Sequence, residues 1–378
     1  MPAEEALFNI LLAEDSGACA AGIAPLTPVA ADIMEAYTNW LGAGNQAEMH
    51  YLENHLPIRE DPVLLLDGAK SIISLAFPYP AASQRLRTLP AIATYAQGDD
   101  YHDVLRTRLS GVTERLKALF GGDYRICIDS APIFERYWAE ICRIGTRADN
   151  GLITIPGYGT RIFLAEILTT LPISTFIPDP PSPVARHIPN LTLKKEKEGS
   201  GIPCECTHCG ACRRVCPAGA LRADSTVNAR RCLSYLTIEH KGEWTSEGLE
   251  AMSTPAGKRT LFGCDLCQSC CPLNSHAQKE NPAATTQSAT LPLYHSAPAK
   301  AGEIYGITPA GAGEISERRH PLPEFSPRPR ILTLTAEDIL ALTQPEFSLI
   351  FKGSPIKRAK LAGLQRNALN TLPNDPDS

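Results

Sequence analysis

The feature that most constrains this chain is its cysteines. Residues 204–217 read CECTHCGACRRVCP, and ten of the thirteen cysteines in the 378-residue sequence lie between Cys204 and Cys271. One pattern is Cys206-x₂-Cys209-x₂-Cys212-x₃-Cys216-Pro217, and a looser copy follows as Cys232, then Cys264-x₂-Cys267-x₃-Cys271-Pro272. The acidic N-terminus, MPAEEALFNILLAEDSGACAAG, lacks the basic n-region of a signal peptide, and no apolar run approaches the roughly 18–20 residues of a membrane span. A cytoplasmic protein without membrane contact is expected, in a compartment where stable disulfides are disfavoured. The clustered thiols therefore point to metal. Cys19, Cys127 and Cys142, outside the cluster, read as buried small hydrophobes.

Three thiolates at x₂, x₂ spacing cap three irons of one cube, and a fourth before proline turns away to a neighbouring cluster, as in bacterial-type ferredoxins. Zinc pairs C-x₂-C units across a gap and needs neither the third close cysteine nor the trailing Cys-Pro. Eight ligands make two 4Fe–4S clusters. Exchange of the fourth ligand predicts Cys206, Cys209, Cys212 and Cys271 on one, and Cys216, Cys232, Cys264 and Cys267 on the other. Cys204 and Cys270 are spare. Two adjacent cubes form an electron wire, which leaves about 200 preceding residues to be explained.

That preceding part alternates helical and strand-like segments. Ala31–Leu41 has helical spacing. Ser71–Phe77 (SIISLAF) is a short β-rich run closed by Pro78-Tyr79-Pro80, hence a buried strand. Asp103–Phe120 is an amphipathic helix with Leu105, Leu109, Val112, Leu116 and Phe120 on one face. Tyr124–Ile128 is a second strand ending at Asp129, and Arg161–Ile167 is a strand or a helix start. Such alternation favours an α/β sandwich. The expected organisation is an α/β (α+β) domain over 1–200, the two-cluster domain over 201–280, an irregular connection over 281–334 and a helical region over 335–378. In the last, Ser354-Pro355 caps a helix IKRAKLAGLQRNAL. Net charge is −5, so bulk electrostatics do not advertise a nucleic-acid binder.

Ile128–Arg136 (IDSAPIFER) resembles the VDSxPxxER segment of the epoxyqueuosine reductases, and other pieces match that family in the same order. They are MHYLENHLPIREDPVLLLDGAKSII, FPYP, ATYAQGDDYHDVL, FLAEILTTLPI, NARRCLSYLTIEHKG, FGCDLCQSCCPLN and FKGSPIKRAKLAGLQRNAL. The resemblance implies a cobalamin-binding domain of nitroreductase-like, reductive-dehalogenase-like fold, fed with electrons by a ferredoxin-like domain. It implies reduction of the epoxide of epoxyqueuosine at a tRNA wobble position, giving queuosine and water. The family's acid maps onto Asp129, which in a closed pocket would keep its proton because desolvation raises a carboxyl pKa. Arg59, Tyr101, His102, Asp129, Ser234, Asp265 and Gln268 become expected cofactor-binding residues. Lys352, Lys357, Arg358, Lys360 and Arg366 become an expected tRNA contact, since phosphate binding needs local cationic clusters whatever the net charge. A low-potential donor such as ferredoxin or flavodoxin, and a monomeric state, go with this picture.

Where the family runs G-W-I-G-K-N, this chain has Gly145-Thr146-Arg147-Ala148-Asp149-Asn150. Exchanging a cation for the Asp149 anion should disfavour contact with phosphate, unless Arg147 supplies the charge. Two further readings stay open: a corrinoid reductase of a small molecule, of the reductive dehalogenase kind, and a non-enzymatic iron–sulfur electron carrier.

Overall fold

The computed structural model describes residues 1–81, 83–177, 184–187, 205–274 and 319–373. The first part comprises α1 (Ala3–Leu11), β1 (Ala20–Pro25), α2 (Ala31–Gly42), α3 (Leu56–Glu60) and β2 (Ser71–Pro78). There follow β3 (Ala91–Ile92), α4 (Tyr101–Phe120), β4 (Tyr124–Cys127), α5 (Glu135–Ile141), β5 (Thr146–Arg147), β6 (Ile153–Thr154), β7 (Ile162–Thr169) and β8 (Val184–His187). Five strands make one sheet in the order β4-β7-β2-β1-β8.

Every neighbouring pair in that sheet is antiparallel. Of the α/β (α+β) expectation, the antiparallel pairing selects the α+β form: alternation along the chain orders the elements but does not give strand direction. Arg161–Ile167 resolves as strand β7, which lies between β2 and β4. Strand β8 extends the sheet beyond β7 by pairing with β1. Both faces of β2 are buried, which is why its sequence is a continuous apolar run. On one face Ile73, Leu75 and Phe77 pack against Leu7 and Leu11 of α1 and Leu105, Leu109, Val112 and Leu116 of α4. On the other, Ile72 meets Trp138 of α5 beside Cys127 and Cys142. Cys19, Cys127 and Cys142 are all buried and unbridged, as expected.

The cysteine module carries α6 (Ala211–Val215), α7 (Leu233–Ile238), α8 (Ser246–Met252), β9 (Thr260–Phe262) and α9 (Leu266–Ser269). It is joined to the sheet domain by pairing of β9 with β3 and by a buried polar lock. The fully buried Asn274 accepts from the Thr160 amide (2.8 Å) and donates to Thr160 Oγ1 (2.9 Å) and to the Gln268 carbonyl (2.7 Å). Gly159 makes room for it, with φ +72° and a hypothetical Cβ only 2.1 Å from Asn274 Oδ1.

The C-terminal part braces the cysteine module. Asn367, fully buried, donates to the carbonyls of Thr237 (2.8 Å) and Leu261 (3.0 Å). The single helix expected after Ser354-Pro355 is two pieces. Ser354 caps a 3-10 turn over Pro355–Ala359, and Lys360 at φ +60° starts a separate α-helix, Lys360–Thr371. The irregular connection is corrected over 319–334, where Leu322 and Phe325 enter the main core and Pro329–Thr333 is helical. Residues 281–318 lie outside the described residues, as does Cys204. Among the described residues no helix is long and apolar enough to cross a membrane.

Gly159→Ala adds left-handed strain of about 1–3 kcal/mol and strikes Asn274. The melting temperature should fall and iron retention weaken, measured by calorimetry and iron assay; an unchanged melt and full iron would refute the lock.

Candidate functional site

Asp129 sits just past β4 in the left-handed conformation, φ +50°, and its side chain is 58% exposed. Its Oδ2 accepts from the Tyr101 hydroxyl (2.8 Å) and faces His102 Nε2 (3.2 Å). Tyr101 and His102 are the first two residues of α4. Asp100 caps that helix and faces His102 Nδ1 at 2.7 Å. Both imidazole nitrogens therefore face carboxylates, which only accept when ionised, so His102 donates from both and is an imidazolium.

The charges follow. Burial opposes protonation of His102, yet its hydrogen bonds to Asp100 and Asp129 lift it from 6.5 to about 9. Asp129 is held below the ordinary carboxylate value by the His102 hydrogen bond, against the opposing effect of burial, with Tyr101 and Arg358 contributing. This corrects the expectation that desolvation keeps a proton on Asp129: the proton resides on His102.

Beneath Asp129 lies a carboxyl that the sequence reading passed over. Glu135 accepts the Asp129 amide at 2.5 Å and is pushed up to about 8 by burial and by the Asp129 charge. Glu166 of β7, fully buried and bonded to Ser74 Oγ (3.1 Å), is raised well above the carboxylate range by burial. An isolated acid within an otherwise apolar strand, FLAEIL, was the available sequence signal for the second.

An aromatic wall connects this site to the cysteine module. The Tyr101 ring stacks on Phe163 (4.3 Å, 7° between planes), and Phe163 meets Tyr79 at 4.8 Å. The Tyr79 hydroxyl donates to Gln268 Oε1 (3.0 Å), next to Cys267. Gln268 is thus tied up inside the protein, receiving Thr160 Oγ1 as well. Asp265 Oδ2 accepts the Thr94 amide (2.8 Å), while its buried Oδ1 has no partner. The Ser234 and Tyr235 backbone amides act to lower the Cys232 thiol, against the larger effect of burial, which raises it.

Arg59 is buried, not part of a solvated face. Its guanidinium lies 5.7 Å from the Tyr37 ring and 5.8 Å from Phe134, in the loop that follows Asp129, and its Nε is unpartnered. The expected cationic cluster divides. Lys352, Lys357 and Lys360 are exposed. Arg358 forks onto Glu239 (2.8 and 2.8 Å) and lies over Tyr51. Arg366 is corrected to a brace: it donates to the carbonyls of Leu236, His240 and Gly242 and stacks on Trp244 at 4.6 Å.

The thiols of Cys216, Cys232, Cys264 and Cys267 act electrostatically on one another. Cys206, Cys209, Cys212 and Cys271 form a second neighbourhood, with Cys270 beside it and Cys209 exposed.

The altered Thr146–Asp149 segment makes its contacts within the protein. Thr146 bonds Thr154, Arg147 forks onto Glu140, and buried Asp149 reaches His208 and Arg213 of the cysteine module.

An antiparallel sheet domain with an acid–imidazolium centre, wired to paired cysteine quartets, defines a two-cluster iron–sulfur oxidoreductase. A family model described as "Epoxyqueuosine reductase QueG, DUF1730" matches residues 59–130, and one described as "4Fe-4S double cluster binding domain" matches residues 205–274. A curated epoxyqueuosine reductase from Cellulophaga algicola is 30% identical over 329 residues, covering 87% of this chain and 85% of its own length. The chain belongs to the epoxyqueuosine reductase family. A solved epoxyqueuosine reductase with an epoxyqueuosine-modified tRNA-Tyr stem loop is 26% identical, with TM-score 0.72, covering 97% of this chain and 80% of that one. Another, from Bacillus subtilis, is described with an aspartate catalytic loop swung out of its active site; it is 25% identical, with TM-score 0.70, covering 98% of this chain and 82% of its own.

Because His102 is raised, the stability it contributes is complete below pH 6.5 and is lost as pH climbs through about 9. His102→Gln should flatten that segment of a melting-temperature profile between pH 6 and 10. An identical slope in wild type and variant would refute the imidazolium.

Proposed function

We propose that this chain reduces the epoxide of epoxyqueuosine in the wobble position of a tRNA anticodon to queuosine. The observation that carries this is the Asp129–His102–Tyr101 centre in a member of this family. Removing the epoxide oxygen as water consumes two electrons and two protons, so an acid must stand where the oxygen leaves. Asp129 is the exposed member of the centre and the one a substrate reaches. Asp129 Oδ2 takes the proton of His102 Nε2 and then passes it to the departing oxygen, the second proton coming from solvent, and the Tyr101 hydroxyl steadies the carboxylate before and after. Asp100 keeps the imidazole turned so that Nε2 points at Asp129. Glu135, bonded to the Asp129 amide, holds the loop in its left-handed turn.

Two 4Fe–4S clusters supply the electrons, with Cys206, Cys209, Cys212 and Cys271 on the outer one and Cys216, Cys232, Cys264 and Cys267 on the inner. A low-potential donor such as ferredoxin or flavodoxin would load the outer cluster near exposed Cys209. Cobalamin is the remaining cofactor. Its polar periphery suits the unpartnered buried atoms Arg59 Nε and Asp265 Oδ1, which would hold it together with Tyr101, His102 and Asp129. When bound, its cobalt would supply the low-potential reductant. The nitroreductase-like description of the sheet domain belongs to the same reading. For tRNA, Lys352, Lys357 and Lys360 offer phosphate contacts, and Arg358 with Tyr51 borders the Asp129 side.

An electron carrier has no use for a carboxylate held ionised against an imidazolium, which favours the enzyme over the carrier. The test is anaerobic protein with eight irons and cobalamin, assayed on an epoxyqueuosine-modified tRNA stem loop. Queuosine should form, and Asp129→Asn should slow it by about 10²–10⁴-fold with iron content unchanged. No queuosine from loaded wild type would refute the function; full activity in the variant would remove Asp129 from its role.

A further inference from the structure

Asp149 is a buried carboxylate that nothing in the proton chemistry above uses. It lies between β5 and β6 with only 5% exposure. Burying a carboxylate is costly unless it is paired, and every partner described for it comes from the cysteine module. His208 Nδ1 is 2.6 Å from Oδ1, Arg213 Nη2 is 3.4 Å from Oδ2, and Ser225 Oγ is 3.5 Å from Oδ1. His208 lies within the run Cys206–Cys212, in a left-handed turn at φ +53°, and Arg213 follows it directly. Ligand atoms of Asp149, His208 and Cys206 lie within 4.8 Å of one another. The Asp149 charge is also felt at Cys212. The inner quartet is differently placed: the charges that act on Cys264 and Cys267 are those of other cysteines and, for Cys264, Asp265.

We propose that Asp149 and Arg213 form an ion pair that sets the reduction potential of the outer cluster alone, with Asp149 as the positioning residue that clamps the cluster's ligand loop to the sheet domain. The inference rests on the assignment of the two quartets to clusters. Cluster potentials follow local charge, hydrogen bonds to sulfur and solvent exposure. A fixed anion beside the cube opposes the incoming electron, and a fixed cation favours it. Because the pair spans the domain boundary, the potential at the electron entry point depends on the docking of the two domains.

The test is an EPR-monitored redox titration, at one pH, of anaerobically purified full-length protein loaded with eight irons. Asp149→Asn keeps an acceptor for His208 but removes the charge, so one midpoint should rise while the other stays. Arg213→Gln should lower that same midpoint. If Asp149→Asn loses iron, Arg213→Gln carries the test by itself. Unmoved midpoints, shifts of the same sign, or equal shifts at both clusters in fully loaded protein overturn the inference while leaving the cluster assignment intact. Failure of wild type to bind eight irons removes the assignment itself.

Discussion

Asn274 in the turn of Gly159 and Thr160 is the contact on which the rest depends. The sheet domain holds the acid–imidazolium centre and the cysteine module holds the electron supply, so the two must keep a fixed separation. A fully buried amide that commits its acceptor and one donor to Thr160 across that boundary, and its other donor to Gln268 within the module, does this with little freedom, because any slip leaves buried polar groups unpaired. The Tyr79–Gln268 bond and the β3–β9 pairing repeat the constraint nearby, and the C-terminal helix closes the module's other side through Asn367 and Arg366.

The charges at Asp129 form a coupled set. Three carboxyls, Asp100, Asp129 and Glu135, surround one imidazole. Ionising all three without a cation would be expensive, so the set partitions: Asp100 and Asp129 are held low against His102, and Glu135, half-buried and beside Asp129, is pushed towards its neutral form. The left-handed turn at Asp129 brings its amide onto Glu135 and its carboxylate onto α4, and thereby links the two protonation states.

Much of this was legible in the sequence, for reasons that differ by residue. Cysteine spacing carries the cluster type directly, which is why a double-cluster module is legible in it. The run SIISLAF and the apolar stripe of α4 are periodicities that a buried sheet and its covering helix impose. Strand direction was not legible, because alternation of helix and strand fits parallel and antiparallel sheets alike. Nor was the destination of long polar side chains. Arg366 looked like its basic neighbours until Trp244 and three carbonyls enclosed it, and Asp149 looked like a substrate-facing change until its partners proved to lie about 60 residues further on. The expected proton on Asp129 failed for a related reason: its partner His102 is 27 residues away in sequence.

The aromatic wall of Tyr79, Phe163 and Tyr101 has a consequence for traffic. Tyr79 and Phe163 are nearly solvent-free, their rings meet at a 38° tilt and Phe163 stacks on Tyr101, so that among the described residues an aromatic layer lies between Gln268 and Asp129. Electrons cross such a layer and protons do not. In the proposed reaction, reducing equivalents would come from the cysteine side and protons from the His102 side, with this layer between the two currents.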